Sequence, residues 1–322
     1  MAGALPYNGP MKHKSHFDLT AAFSAIGGHR QVLFVLVLTF FLNLLVCAGK
    51  LVVGLAVNSL SMVADGIHSL FDSLANVVGF VSILVAAQPA DEDHPYGHRK
   101  FEVMASLGIA VLMGVTCVEI LESAYRRFSE ADVLPQPSPL AFGVMIGTMA
   151  INTWVSWYER KKGRELQSPV LVADSAHTGS DILASAVVLV ALAGARLGWA
   201  WVDLIASVLV VGIVARTARE IVNHSLDVLS DRIVLDPGKV TRVVEKVSGI
   251  ISCHKVRSRG MPGNIFVDLH IQVSPRLTTL KSHALTHKVM ATVKESIPGV
   301  AEVFVHTEPA KPEDYHRSGR KK

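Results

Sequence analysis

Long apolar segments alternate with short polar ones over the first two thirds of the chain. Charged residues are scarce between about Gln31 and Ala215, and a bilayer-crossing helix needs roughly 20 mostly apolar residues. The segments of that kind cover about residues 31–56, 60–87, 102–124, 138–158, 168–194 and 199–220. The last is the least apolar, because Asp203 lies near its start and Arg216 near its end. The pattern therefore predicts an α-helical membrane protein with six transmembrane helices.

A different pattern follows Asp231. The predicted elements are a helix over 236–250, strands over 252–258 and 264–273, a helix over 278–297 and a strand over 300–306. In the second strand, apolar residues alternate with polar ones, as in a strand with one buried face. The order αββαβ is typical of a small two-layer α+β domain. The chain divides into a tail (1–30), a membrane domain (31–230), the α+β domain (231–310) and a basic tail (311–322).

Composition supports this division. Half of the 322 residues are hydrophobic and 18% are charged, against about 25% charged in average soluble domains. This excludes a disordered chain, an ordinary cytosolic enzyme and a nucleic-acid-binding tail protein, so no nucleic-acid partner is expected. The three cysteines form no CxxC pair, which argues against a disulfide scaffold or a thiolate zinc finger. The N-terminal 30 residues lack the apolar core of a signal peptide.

Basic residues indicate the orientation of the membrane domain. Nine lysines and arginines flank the predicted helices on one side: Lys12, Lys14, Arg30, Arg99, Lys100, Arg160, Lys161, Lys162 and Arg164. Three lie on the other side: Arg126, Arg127 and Arg196. Because cytoplasmic loops carry the excess of positive charge, both termini are expected in the cytoplasm.

A motif occurs twice inside the membrane domain. The second and fifth predicted helices both read V-A-D-x-x-H-x-x-x-D, and the six polar residues are Asp65, His68, Asp72, Asp174, His177 and Asp181. A His and an Asp four residues apart lie on one helix face. Two such helices facing each other would offer two imidazoles and two carboxylates, a set that suits a tetrahedral divalent ion, best zinc. Polar contacts between helices are the alternative interpretation, but repetition of a costly intramembrane motif favours metal binding.

Four features of the chain belong together: the two HxxxD elements, the six helices, the loop Q-P-A-D-E-D-H-P-Y-G-H (88–98) and the αββαβ domain. In this combination the chain resembles the cation diffusion facilitator family, over roughly residues 30 to 310. The resemblance implies a homodimer that exports divalent metal from the cytoplasm in exchange for protons, with its location expected in the bacterial inner membrane. It implies a transport site formed by His68, Asp72, His177 and Asp181. Asp65 and Asp174 are then further ligands or groups that orient the imidazoles.

The resemblance also implies which metal is carried and where others bind. The set of two His and two Asp resembles zinc-selective members, so Zn²⁺ is the expected substrate, with Co²⁺, Cd²⁺ and Fe²⁺ left open. A loop site is expected at Asp91, His94 and His98. A structural or regulatory Zn²⁺ is expected in a ferredoxin-like, metallochaperone-like cytoplasmic domain, at His254, His270, His283, His306 and Glu308. Lys100 and Asp231 would form a charge interlock near the dimer interface, or a plain surface pair. The roles of His287 and Lys50 stay open.

The mechanism expected from such a site is competition between protons and metal. Metal ligands must be deprotonated, and histidine has an ordinary pKa of about 6.5, so a more acidic outer side would displace the ion. A membrane metalloenzyme is the main alternative class. The chain has no HExxH or GxSxG motif, and four protein ligands leave no open position for catalysis, so the protein is expected to be a transporter rather than an enzyme. A metal-sensing scaffold and a passive channel are the remaining alternatives.

Overall fold

The computed structural model describes residues 29–56, 60–129, 139–196 and 201–311. Within them, long helices come first: α1 (Arg30–Ala56), α2 (Leu60–Ala86), α3 (Lys100–Ser129), α4 (Pro139–Glu165), α5 (Pro169–Arg196) and α6 (Trp201–Leu229). Each corresponds to one predicted segment. The predicted tails 1–30 and 311–322 lie almost entirely outside the described residues.

Two of these helices extend further than their apolar segments. Helix α4 continues to Glu165 and α6 to Leu229, whereas the sequence predicted ends near 158 and 220. Lysine, arginine and glutamate are good helix formers, so the loss of hydrophobicity marks a change of surroundings and not the end of a helix. The basic residues 160–164 therefore belong to α4 and not to a loop.

Membrane-crossing character is clearest in two helices. Among the described residues, α1 and the part of α3 from Lys100 to Arg126 are long and apolar enough to cross a bilayer. The other long helices carry more polar residues, as α5 does with Asp174, His177 and Asp181. Six crossings therefore remain a prediction.

The long helices pack in pairs. Helix α1 lies along α2, α3 along α6, and α4 along α5. A buried apolar cluster joins α1, α2, α3 and α5, with Leu36, Ile83, Ile109 and Leu171 at its centre. Large apolar side chains also cover the outside of the bundle, among them Phe34, Phe41, Leu45, Val118 and Leu209. An apolar outer surface of this kind fits a bilayer and not water.

The predicted αββαβ order is confirmed beyond α6. The elements are α7 (Pro237–Val244), β1 (Ser252–Met261), β2 (Asn264–Val273), α8 (Thr279–Ser296) and β3 (Val300–Pro309). Strand β1 is antiparallel to β2, and β3 is parallel to β2. The alternating apolar residues of β2 pack with Val240 and Val244 of α7 and Val289 and Val293 of α8. Both helices therefore cover one face of the sheet, and the other face is open.

Local sequence sets the ends of these elements. Asp236 caps α7 by accepting a hydrogen bond from the Gly238 N–H, as aspartate commonly does at this position. Helix α7 ends at Val244 and not near residue 250 as predicted, and the chain then turns through Gly249 at φ 102°. In β1, Gly260 has φ 111° and would place a Cβ 2.3 Å from the Asn264 carbonyl oxygen. Only glycine fits that position of the hairpin.

The small domain contacts the helical bundle through the start of α3. Lys100 Nζ donates to Asp231 Oδ1 at 2.8 Å, and both side chains are partly exposed. In the preceding loop, the Tyr96 ring lies edge-on to Phe266, with ring centroids 5.3 Å apart. The Arg259 guanidinium lies 4.5 Å from the centre of the Tyr96 ring. The loop between α2 and α3 is thereby attached to the β1–β2 hairpin.

Candidate metal sites

The second copy of the repeated motif lies in the interior of the bundle. Helix α5 presents Asp174, His177 and Asp181 to a small cavity of about 20 Å³, roughly the space of one water molecule. Asp174 and His177 are 2% and 3% exposed. Thr178 of α5 also lines it, and the lining residues from α1, α2 and α4 are Asn43, Val46, Ser69 and Asn152. Four helices therefore meet at the cavity that His177 and Asp181 line.

The first copy of the motif lies on α2. The backbone of Asp65, His68 and Asp72 belongs to that helix, but their side chains lie outside the described residues. The next residue after His68 is Ser69, which lines the cavity and accepts a hydrogen bond of 2.9 Å from the buried Lys50. The turn of α2 that carries His68 therefore passes the cavity, and the joint four-residue site remains a prediction.

Asp174 is held by a chain of amides. Asn43 donates to Asn76 Oδ1 at 2.9 Å, and Asn76 Nδ2 lies 2.5 Å from Asp174 Oδ2. On the other side of Asp174 is Glu159, which is fully buried. Sequence analysis missed Glu159, because it lies one residue past the fourth apolar segment and begins the charged run E-R-K-K-G-R-E. Such a run normally marks a solvated helix end.

The three residues of the predicted loop site lie close together in the structure. Asp91 lies between two imidazoles: its Oδ1 is 3.3 Å from His94 Nδ1 and its Oδ2 is 3.3 Å from His98 Nε2. Nitrogen and oxygen ligands about 2.0–2.2 Å from a tetrahedral zinc ion lie roughly 3.3 Å apart. The three side chains therefore match the spacing of a metal site with at least one further position open.

Hydrogen bonds orient this loop group. The backbone N–H of His94 donates to Asp91 at 2.6 Å. That bond, with the neighbouring His98 and His94 rings, lowers the pKa of the Asp91 carboxyl. His98 is 5% exposed and its Nδ1 lies 3.1 Å from the Pro89 carbonyl oxygen. A hydrogen bond at Nδ1 fixes the ring and leaves Nε2 directed at the site, as is usual for histidine ligands.

A second group lies on the open face of the small sheet. His254, His270 and His306 occupy one row across β1, β2 and β3, because His254 pairs with His270 and His270 with His306. Glu308 closes the group: its Oε1 is 2.8 Å from His270 Nδ1, and its Oε2 is 3.3 Å from His254 Nε2. His306 Nε2 is more distant, at 3.8 Å. The hydrogen bond with His270 is the main cause of a lowered pKa of the Glu308 carboxyl.

These residues fit a zinc ion by their chemistry. One ligand atom each from His254, His270 and Glu308 lie within 4.8 Å of one another. Two imidazoles and a carboxylate are a common partial ligand set for zinc, with water or another side chain in the fourth position. If zinc binds, His254, His270 and Glu308 would hold it, and His306 is the nearest further donor.

The structure does not bring His283 into this group within one chain. Helix α8 covers the closed face of the sheet, as the Thr286–Thr307 contact of 3.1 Å shows. Because side chains alternate along a strand, His306 and Glu308 point to the opposite face from Thr307. His283 instead meets His287, with their Nε2 atoms 3.1 Å apart. Helical spacing could not reveal which sheet face α8 covers.

Comparison with known families agrees with these features. The model of the cation efflux transmembrane domain matches residues 36–230, and that of the cation efflux protein cytoplasmic domain matches residues 235–310. The chain belongs to the cation diffusion facilitator family. It is therefore a membrane protein of a family of divalent metal efflux transporters, and not of a family of enzymes.

Individual cation diffusion facilitators are similar over most of their length. An uncharacterized transporter of Methanocaldococcus jannaschii is 31% identical, over 87% of this chain and 99% of its own. The manganese efflux system protein MneS of Bacillus subtilis is 27% identical, over 83% and 91%. The cation-efflux pump FieF of Shewanella oneidensis is 29% identical, over 82% and 89%.

Proposed function

We propose that this protein is a proton-coupled antiporter that exports Zn²⁺ from the cytoplasm by alternating access. The transport site consists of His68 and Asp72 on α2 with His177 and Asp181 on α5. The observation that carries this proposal is the position of His177 and Asp181, one turn apart beside a cavity in the bundle interior. Ionisable residues at such a position are costly in a membrane domain and generally serve transport.

The proposed substrate follows from the ligand types. Imidazole nitrogen suits zinc, cobalt and iron better than it suits manganese, which prefers carboxylate, carbonyl and water oxygens. Manganese is the main competing substrate, because two relatives are named as manganese efflux proteins. Two histidines in the motifs favour Zn²⁺ over Mn²⁺.

Proton coupling would arise at the ligands themselves. Protons and Zn²⁺ compete for the same imidazole and carboxylate atoms. When the site faces the near-neutral cytoplasm, the deprotonated groups bind the ion. When it faces a more acidic exterior, protonation of the histidines releases the ion. The bound protons are then carried inward when the site turns back to the cytoplasm.

The remaining parts of the proposal concern assembly and location. The small domain lies in the cytoplasm, as do both termini, and the protein lies in the bacterial inner membrane as a homodimer. A resident Zn²⁺ held by His254, His270 and Glu308 would hold β1, β2 and β3 together at one end of the sheet. The matched domain model describes the cytoplasmic domain of cation efflux proteins, which supports this orientation.

Transport into proteoliposomes tests the proposal. The lumen is made acidic, Zn²⁺ or Mn²⁺ is added outside, and metal uptake and luminal pH are followed together. Wild type is compared with His177→Ala and with the matched control His224→Ala, since His224 lies on the exposed side of α6. We expect Zn²⁺ uptake coupled to proton release, lost in His177→Ala and kept in His224→Ala.

Each other result has a definite meaning. Full uptake by His177→Ala would refute the transport site. If the protein takes up Mn²⁺ but not Zn²⁺, the proposed substrate is wrong and the proposed site is unaffected. Zn²⁺ uptake that is independent of the pH gradient would refute antiport.

A further inference from the structure

Two acidic side chains from different helices meet inside the bundle, beside the proposed transport site. Glu159 on α4 is 0% exposed and Asp174 on α5 is 2% exposed, and their carboxyl groups lie against each other. Glu159 has no part in the proposed site. We call these two residues the Glu159–Asp174 pair.

The surroundings of the pair are polar. Asn76 from α2 donates to Asp174 at 2.5 Å, and Thr39 from α1, which is fully buried, lies beside Glu159. Neither carboxyl oxygen of Glu159 has a hydrogen bond of good geometry, although Thr39, Asn76 and Asp174 surround it. Oxygen atoms from several helices thus converge on one buried point, and the oxygens of Glu159 are directed into it.

Two buried carboxylates in contact cannot both stay charged away from water. Either one of them binds a proton or a cation lies between them. The buried Lys50 of α1 donates to Ser69, which lines the same cavity as Asp174. Carboxylate and hydroxyl oxygens are good ligands for divalent ions.

The pair lies between the small domain and the transport site. Asp174 comes one turn before His177 and lines the same cavity as His177 and Asp181. Helix α5 begins next to α3, where the Ser168 hydroxyl donates to Glu102. Lys100, two residues before Glu102 on α3, donates a hydrogen bond to Asp231 beside the small domain. An ion arriving from the domain side therefore reaches the level of Asp174 before that of His177 and Asp181.

We propose that the Glu159–Asp174 pair is a separate binding site for a divalent metal ion, which the transported ion occupies before it reaches His177 and Asp181. The direction of this route rests on the proposed function, but binding at the pair does not. Because the pair offers only oxygen ligands, it binds Mn²⁺ as well as Zn²⁺, so selection by imidazole follows at the next step.

The binding test uses the full-length protein in detergent. Transport-site binding is first removed with Asp181→Ala, and bound Mn²⁺ per chain is then measured by electron paramagnetic resonance during equilibrium titration. Glu159→Gln is added to this background, and Glu165→Gln is the matched control, since Glu165 lies on the same helix but on its exposed end, paired with Lys162. Asp181→Ala is expected to bind one Mn²⁺ more per chain than Asp181→Ala/Glu159→Gln, and the control is expected to bind as many as Asp181→Ala.

A flux measurement gives a second readout. In otherwise wild-type protein, Glu159→Gln is expected to raise the metal concentration for half-maximal uptake by about tenfold, the scale of losing a partner near a metal site. The maximal rate should change much less. If Glu159→Gln does not fold, Glu159→Asp keeps the charge, moves it by one methylene and is expected to weaken Mn²⁺ binding in the same assay.

Several outcomes would overturn the proposal. If Asp181→Ala binds as much Mn²⁺ with Glu159→Gln as without it, the pair holds no metal. If Glu159→Gln does not fold, an equal result with Glu159→Asp has the same meaning. An unchanged half-maximal concentration, with an altered dependence of flux on pH, would assign the pair a proton instead of a metal ion. A wild type that binds the additional Mn²⁺ but transports nothing would refute the proposed function and leave the site standing.

Discussion

His270 Nδ1 and Glu308 Oε1 lie 2.8 Å apart, although 38 residues separate them along the chain. The parallel pairing of β2 with β3 creates this contact, because it sets His270 opposite His306 and Glu308 two residues further along. The second oxygen of Glu308 reaches His254 on β1. One carboxylate therefore links side chains of all three strands and holds two imidazoles close enough to share one metal ion.

Replacing Glu308 tests this arrangement. Glu308→Gln keeps the size of the side chain but removes the charge that attracts a divalent ion, so Zn²⁺ affinity of the small domain should fall by about 10- to 100-fold. Titration calorimetry of the purified full-length protein measures it. Glu302→Gln is the control, since Glu302 lies on the same strand with an exposed side chain. Equal Zn²⁺ affinity in Glu308→Gln and wild type would exclude Glu308 as a ligand.

The interactions of Glu308 also predict that the stability of the metal-free protein depends on pH. Its pKa is lowered in the folded state, mainly by the hydrogen bond with His270. A lowered folded pKa gives stability that is present above the unfolded value, about 4.3, and lost as the pH falls through the folded value. Between pH 6 and pH 3, the Tm of wild type should therefore fall further than that of Glu308→Gln. Parallel declines would contradict the predicted linkage.

Much of the fold follows from hydrophobic pattern alone. The apolar segments give the six long helices because length and hydropathy are strong, local signals. The alternation of Ile265, Val267, Leu269, Ile271 and Val273 gives β2 and its buried face. The loop group Asp91, His94 and His98 is expected from the family resemblance, and its residues lie within eight positions of one another, so no distant contact is needed to bring them together.

The remaining features depend on tertiary contacts. Glu159 reads as a surface charge, and only the packing of α4 against α5 shows that it is buried beside Asp174. His283 has the same residue type as the candidate ligands on the sheet, but α8 covers the opposite face, so His283 does not join them within one chain. Local periodicity does not show which element packs against a given helix face, or whether the end of a helix is buried.

The junction between the loop and the small domain gives a further prediction. Tyr96→Ala removes the edge contact with Phe266 and the cation–π contact with Arg259, the latter worth about 0.5–1 kcal/mol at an exposed site. Deuterium exchange should therefore rise in the loop 88–98 and in the β1–β2 hairpin. Tyr125→Ala is the control, because Tyr125 is exposed on α3. Unchanged exchange at both segments would mean that Tyr96 does not attach the loop.

Cys253 provides the last prediction, because its neighbour His254 is a candidate ligand while the thiol itself points into the core. Cys253 packs with the buried residues of the small domain, on the face opposite His254. Burial raises the pKa of the Cys253 thiol to about 11. At pH 8, about one thiol in a thousand would be ionised, against about a quarter of free cysteine, whose pKa is about 8.5.

Alkylation by iodoacetamide should therefore be about 20-fold slower at Cys253 than at a free thiol, after allowing for the greater nucleophilicity of a weakly acidic thiol. Mass spectrometry resolves Cys253 from Cys47 and Cys117, and unfolding in guanidinium should restore the ordinary rate. Saturating Zn²⁺ should leave the rate in the folded protein unchanged, because the metal binds on the other face of the sheet. Protection by Zn²⁺ of a rapidly alkylated Cys253 would instead show that the thiolate is a ligand, and that the group of His254, His270 and Glu308 is incomplete without it.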